Sequence, residues 1–344
     1  MSLRSAFDTY LPLIEAELRE ILAFPHPQLT SFYGMMQYHL GWVDEGFAPT
    51  RDCAGKRLRP MLCLLTYQAT GGDPNQALPA AAAIELVHNF SLVHDDIEDR
   101  SPLRRGRPTV WKVWGVPQAI NVGDALFALA HLAAQRLAER GVPPRRVLTA
   151  LEILDEACLA LTEGQYLDLS FENRMDVDVE QYLTMIRRKT AALFSTAAQL
   201  GALVAGSDPE SIARYRRFGE NLGLAFQIVD DILGIWGDPQ VTGKPAADDI
   251  RQRKKTLPIV CALEEEKRNG SKGLRQIYQQ EIIDEKAVGA ALKILEDLGV
   301  RRYAEGMAND YYQQALAELD ATGVENEAQD DLRELAAFLV ERKY

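Results

Sequence analysis

Residues 80–99 read AAAAIELVHNFSLVHDDIED. Strong helix formers dominate the stretch, and it carries almost no charge apart from Glu85 until Asp95. A helix that is apolar nearly all round belongs in a core. This one nevertheless ends in Asp95, Asp96 and Asp99. A second stretch, LGLAFQIVDDIL at 222–233, repeats the plan and ends in Asp230 and Asp231. The C-terminus of a helix already carries partial negative charge, so a carboxylate pair there is unfavourable on its own. Each pair calls for cations.

The flanking segments have the same helical character. Apolar residues recur at spacings of three and four over Ala80–His94, Asn121–Arg140, Pro144–Glu172, Val179–Gly206, Pro209–Trp236 and Leu257–Arg268. Short breaks carry Gly and Pro, as in Gly71–Pro74, Gly141–Pro144, Gly206–Pro209 and Gly237–Pro245. Alternating strands with hairpin turns are not expected. The pattern predicts an all-α protein: a single domain over 1–344, with ten or more helices around a central cavity. The charged amphipathic helices of the last seventy or so residues are expected to form an outer layer.

With 47% hydrophobic and 26% charged residues, the 344-residue chain is globular in composition. Thirty-eight basic against fifty acidic residues leave a net charge of −12, which argues against non-specific nucleic-acid binding. Cys53, Cys63, Cys158 and Cys261 form no CxxC pair. Neither a thiolate zinc site nor a disulfide framework is expected, and a reducing cytoplasm is. The N-terminal stretch has acids throughout and no apolar signal core. The uncharged run Thr190–Ser207 contains several polar and glycine positions and reads as a buried core helix, so no stable membrane insertion is expected.

Asp95, Asp96 and Asp99 stand at i, i+1 and i+4. On a helix, Asp95 and Asp99 share one face, about 6 Å apart along the axis, with Asp96 beside them. Oxygen donors without nearby thiolates favour Mg²⁺, with Mn²⁺ possible, over zinc. The second cluster is leaner, because position i+4 from Asp230 is Gly234. Asp230 is its strongest ligand candidate. Asp238, Asp248 and Asp249 follow, the last two equally readable as caps of the next helix.

Basic residues come in five groups: GKRLRP (Lys56, Arg57, Arg59), PLRRGRP (Arg104, Arg105, Arg107), RRKT (Arg187, Arg188, Lys189), TGK (Lys244) and RKKT (Arg253, Lys254, Lys255). Arginine suits bidentate capture of phosphate oxygens, and lysine supplies a point charge. No phosphate-binding GxxxxGK[ST], dinucleotide glycine motif or Ser–His–Asp signature is present. The combination points to a metal-bridged diphosphate beside a second anion site. Ionisation of a diphosphate would then take place in an apolar pocket that excludes water.

In order along the chain, GKRLRP, LVHDDIEDRSPLRRGRPT, RRKT, FQIVDDILG and TGK…KKTLP resemble the motifs of the trans-isoprenyl diphosphate synthases. The resemblance runs from about Gly55 to Pro258. It implies an all-α enzyme, commonly a homodimer, that condenses an allylic diphosphate with isopentenyl diphosphate. Carried over by motif, Asp95 and Asp99 would bind two Mg²⁺ ions, with Asp96 supporting, and Asp230 a third. Lys56, Arg59, His88 and Arg105 would hold isopentenyl diphosphate. Arg104, Lys189, Thr190, Gln227, Lys244 and Lys254 would hold the allylic diphosphate. Lys189 joins the aspartates in the catalytic set. The released diphosphate would serve as the base.

Product length should depend on side chains beneath the first cluster. Ser91, one turn before Asp95, is small, with Val87 and Ile84 beyond it. Phe90 lies about 140° away from Asp95 on an ideal wheel, so periodicity alone does not make it a floor. The resemblance does: an aromatic five residues before the first aspartate is similar to a geranylgeranyl diphosphate synthase. The alternatives are a farnesyl or longer-chain synthase, and a non-catalytic partner subunit with Gly234 as a trace of erosion. A terpene cyclase would not need GKRLRP together with Arg104–Arg105.

Overall fold

The computed structural model describes residues 3–23, 26–50, 55–239 and 246–341. Lys244, expected at the allylic diphosphate, and Cys53 lie outside these ranges. The described chain is helical almost throughout. The order is α1 (Leu3–Ile21), α2 (Thr30–His39), α3 (Leu58–Ala69), α4 (Leu78–Glu98), α5 (Val110–Trp114), α6 (Val116–Gln135), α7 (Pro144–Phe171) and α8 (Val179–Ile186). There follow α9 (Ala192–Ala205), α10 (Pro209–Trp236), α11 (Asp248–Arg251), α12 (Leu257–Asn269), α13 (Gly273–Tyr278), α14 (Glu285–Asp297), α15 (Val300–Asp320) and α16 (Glu327–Val340).

Two expectations shift. The helix expected from Asn121 starts at Val116, because Pro117 occupies its first turn, where no backbone donor is needed. No hairpin is expected, yet PLRRGRP forms a short one in which Leu103–Arg104 pairs antiparallel with Arg107–Pro108. Arg105 and Gly106 make its turn, with φ of 52° and 74°, the left-handed pair that matches the twist of a tight hairpin.

The described residues fall into two compact units. One is drawn from 1–158, 196–216 and 322–332, the other from 159–195, 217–321 and 333–344. In the first, α4 is the central helix. Ala81 to Ile84, Leu86 and Val87 have no exposed surface, and α1, α3 and α6 pack on it. In the second, Leu224, Ile228 and Ile232 of α10 share a core with Leu257, Leu274 and Leu295.

Arg57 lies in the core of the first unit, 2% exposed. Its Nε donates to Glu15 Oε1 (2.7 Å), Nη1 to Glu85 Oε1 (2.8 Å) and Nη2 to the Leu40 carbonyl (3.2 Å). Asn89 and Trp42 donate to the same two carboxylates. Burial opposes the charge, but Glu85 and Glu15 outweigh it and hold the guanidinium above its ordinary pKa. Arg57, read as part of an anion-binding cluster, is thus a strut. It ties the start of α3 to α1 and α4, and so fixes Lys56 just before that helix and Arg59 in its first turn.

Candidate active site

In the first unit, Asp95 and Asp96 occupy the last turn of α4, and Asp99 is its C-terminal cap. Asp96 points inward and is 2% exposed, while Asp95 is half-buried and Asp99 exposed. Arg104, delivered by the hairpin, closes on the pair. Its Nε reaches Asp96 Oδ1 and Oδ2 at 2.9 and 3.0 Å, and Nη2 lies 3.3 Å from Asp95 Oδ2. Burial pushes the Asp96 carboxyl up, with Arg104 opposing.

Behind this pair is a concentration of positive charge. Arg59 Nη1 lies 3.3 Å from His88 Nε2. A Cβ at Gly55 would lie 2.7 Å from the Arg105 guanidinium, so the glycine lets the Lys56 loop meet the hairpin turn. Burial lowers the Arg59 pKa to about 10, with Glu85 opposing. Burial, then Arg59, Arg105 and Arg104, push His88 well below its ordinary value and hold it neutral. His39, Arg104, Arg105 and Arg107 line a small cavity with Asp96 and Thr109. Arg107 is spent on structure, donating to the Val43 and Tyr38 carbonyls at 2.6 and 3.3 Å.

In the second unit the plan recurs. Asp230 is exposed on α10, and Asp231 is 6% exposed. Asp231 accepts from the Tyr182 hydroxyl, from Gln227 Nε2 at 3.0 Å and from the Leu257 N–H at 2.8 Å. Burial lifts its carboxyl to about 7, against those three donors. Gln227 also accepts from Thr190 Oγ1 at 2.7 Å, so two residues expected at the allylic diphosphate meet. Lys189 Nζ lies 2.5 Å from Asp168 Oδ2. Lys189 and Thr190 sit in a π-helical turn, Arg187–Ala191, of the kind that recurs at functional sites. Their neighbours Arg187 and Arg188 pair with Glu220 and Glu163 on the surface.

Gly234 has a local explanation. A Cβ there would lie 1.9 Å from Asp249 Oδ2, so the buried Asp249 carboxylate occupies the place a side chain at 234 would take. Lys254 Nζ lies 3.8 Å from Asp249 Oδ1. Lys255 is buried, donating to the Glu172 carbonyl at 2.9 Å.

Phe90 is buried and packs edge-to-face on Phe127 of α6, ring centroids 5.3 Å apart. The Ser91 hydroxyl is turned back on the His88 carbonyl at 2.8 Å.

Sequence reasoning missed Asp168, Tyr182 and the strut role of Arg57. Nothing in their spacing could have found them: Asp168 and Tyr182 meet partners 21 and 49 residues away.

Among the described residues, no three of His, Cys, Asp and Glu are grouped to hold a metal by themselves. Mg²⁺ takes one or two carboxylates and completes its shell with water and phosphate oxygens. Asp95 in the first unit and Asp230 in the second are each an outward hard oxygen donor of the kind such an ion takes.

The polyprenyl synthetase family model matches residues 42–295. A (2E,6E)-farnesyl diphosphate synthase of Mycobacterium tuberculosis is 40% identical over 316 residues, covering 90% of this chain and 86% of that protein. A geranylgeranyl diphosphate synthase of the same organism is 43% identical over 286 residues, covering 83% and 80%. The crystal structure of a geranylgeranyl pyrophosphate synthase from Corynebacterium glutamicum, complexed with isoprenyl diphosphate and magnesium, matches with a TM-score of 0.84 at 26% identity. It covers 98% of this chain and 99% of that one.

Proposed function

Because the chain belongs to the polyprenyl synthetase family, we propose that it condenses an allylic diphosphate with isopentenyl diphosphate, head to tail, and makes geranylgeranyl diphosphate. One observation carries this reading. Each apolar helix presents an outward aspartate beside an inward one that protein donors hold: Asp95 beside Asp96, and Asp230 beside Asp231.

Asp95 and Asp99 would bind two Mg²⁺ ions and Asp230 a third. Bound there, the ions would neutralise charge developing on the leaving diphosphate. Asp96 and Asp231 position their neighbours. Lys56, Arg59, His88 and Arg105 would hold isopentenyl diphosphate, with neutral His88 donating a hydrogen bond rather than a charge. Arg104, Lys189, Thr190, Gln227, Lys244 and Lys254 would hold the allylic diphosphate. Lys189 would stabilise the departing group as a fixed cation. No protein residue is assigned as the base, since the departing diphosphate is itself an acceptor for the proton. Phe90, with Ser91, would limit the product to twenty carbons.

We read 1–344 as one domain, because each unit is assembled from three separated stretches of chain. A homodimer is supported by the exposed apolar side chains Ile120 and Leu132 on α6 and Leu148 on α7. No described helix is long and apolar enough to cross a membrane. Cys63, Cys158 and Cys261 are buried free thiols, which supports a reducing, cytoplasmic setting.

A farnesyl product is the rival reading, favoured by the farnesyl synthase relative. The test is incubation with labelled isopentenyl diphosphate plus dimethylallyl, geranyl or farnesyl diphosphate, followed by product chromatography. Twenty-carbon product supports the proposal. An accumulating fifteen-carbon product replaces the length assignment, and no condensation with any starter ends the synthase reading.

A further inference from the structure

Helices α4 and α6 lie side by side in the first unit and run in opposite senses. His94 lies 3.4 Å from the Ile120 carbonyl and 3.7 Å from Asp124 Oδ1, while Phe90, one turn earlier on α4, meets Phe127, further along α6. Both helices bury many small residues. Ala119, Ala130, Ala133 and Ala134 are buried on α6, as are Ala80 to Ala83 on α4. At Gly123 a Cβ would lie 2.1 Å from the His94 ring, so the imidazole lies directly against the α6 backbone. The layer of two large rings is Phe90–Phe127, at an interplanar angle of 82°.

Phe127 is not an idle surface ring. It is 38% exposed, but it packs on Phe90, and the His131 ring lies against it with centroids 4.6 Å apart. His131 is itself pinned: Nδ1 lies 2.8 Å from the Phe127 carbonyl and Nε2 2.6 Å from Asp155 Oδ1 on α7. The pair sits about 7.5 Å down the helix axis from Asp95, five residues at helical rise. Further along the two helices, Val87 and Ala83 of α4 and Ala130 and Ala134 of α6 are buried.

We propose that Phe127 is a second chain-length residue. It locks the Phe90 ring and forms with it one aromatic bar that ends the space for the growing prenyl chain. The proposal rests on the synthase reading and extends it to a residue outside every motif. A ring held by a neighbour on another helix cannot turn aside as the chain presses on it, whereas Phe90 alone could change rotamer. Length is then set by two helices together.

The experiment is Phe127→Ala, with labelled isopentenyl diphosphate and product chromatography. The expected result is a ratio of longer to parent-length product at least tenfold above that of the parent enzyme. Phe90→Ala/Phe127→Ala should shift further than either single change, and Phe127→Trp should shift toward shorter product. Should Phe127→Ala not fold, Phe127→Leu carries the same readout. Product of parent length in parent proportion from a folded Phe127→Ala or Phe127→Leu enzyme overturns the proposal, including the case in which light scattering shows only a changed association state. Absence of any condensation by the parent chain sinks the synthase reading and this proposal with it. That outcome is told apart because it appears before any variant is made.

Discussion

The Tyr182 hydroxyl on α8 donates to Asp231 Oδ2 on α10, and the Leu257 N–H at the start of α12 donates to the same oxygen. One buried carboxylate therefore fixes three helices, next to the exposed Asp230. Tyr182→Phe removes a donor and leaves a desolvated oxygen behind. It should cost about 1–3 kcal/mol of stability, read by urea unfolding. An unchanged midpoint would mean that the other donors carry the site.

Asp95→Ala should lower kcat by roughly two orders of magnitude or more while changing the melting temperature little, because Asp95 is half-buried and Asp96 keeps the main contact with Arg104. Asp230→Ala should behave in the same direction. Ordinary turnover in Asp95→Ala would remove the metal assignment.

Gly234→Asp supplies the i+4 acid that the first cluster has in Asp99, yet should harm this chain. The new side chain would meet Asp249 Oδ2 at contact closer than packing allows and place two buried carboxylates together. A loss of about 2–4 kcal/mol is expected in thermal or urea melts, relieved in part by adding Asp249→Gly. A stable and faster Gly234→Asp enzyme would show that Asp249 does not fill that place.

Burial pushes the Lys255 ammonium down to about 8 from its ordinary 10.5. Below pH 8 it is charged in both folded and unfolded chains, and the folded state bears the cost of burying that charge. Between about pH 8 and 10.5 the folded chain binds fewer protons, so this group's contribution to stability rises with pH. Stability measured against Lys255→Met across that window should rise for the parent by at most about 3 kcal/mol. A flat difference would place the amine in water.

Arg57→Met should cost about 3–5 kcal/mol, because Glu15 and Glu85 lose the cation between them. Glu85 suffers more, being nearly unexposed. Unfolding midpoints check the size. Arg57→Lys should recover only part, since a lysine cannot donate in three fixed directions.

What could be read ahead of the coordinates was whatever one helix decides by itself. The apolar faces of α4 and α10, and the acids at their ends, follow from periodicity, as does the division of α9 from α10 at Gly206–Pro209. Which basic residues serve ligands and which serve the fold was not legible. Arg57 and Lys255 look like their neighbours in sequence, but their partners lie 42, 28 and 83 residues away. The PLRRGRP hairpin was hidden because an arginine in a left-handed turn position carries no compositional signal. The edge-to-face contact of Phe90 with Phe127 needed the pairing of two helices, which no single-helix wheel contains.

The π-helical turn at Arg187–Ala191 has a bearing on how this chain can change. It behaves as one surplus residue lodged in an otherwise continuous spiral from Val179 to Ala205. Deleting a single position there would regularise the coil and leave the downstream register nearly where it is, because the wider turn uses one residue more to sweep the same angle. Phe194, Ala197 and Ala198, all without exposed surface, would keep their packing partners. Shortening by one residue at this point therefore spares α9, and its cost falls on Lys189 and Thr190, which sit in the wider turn.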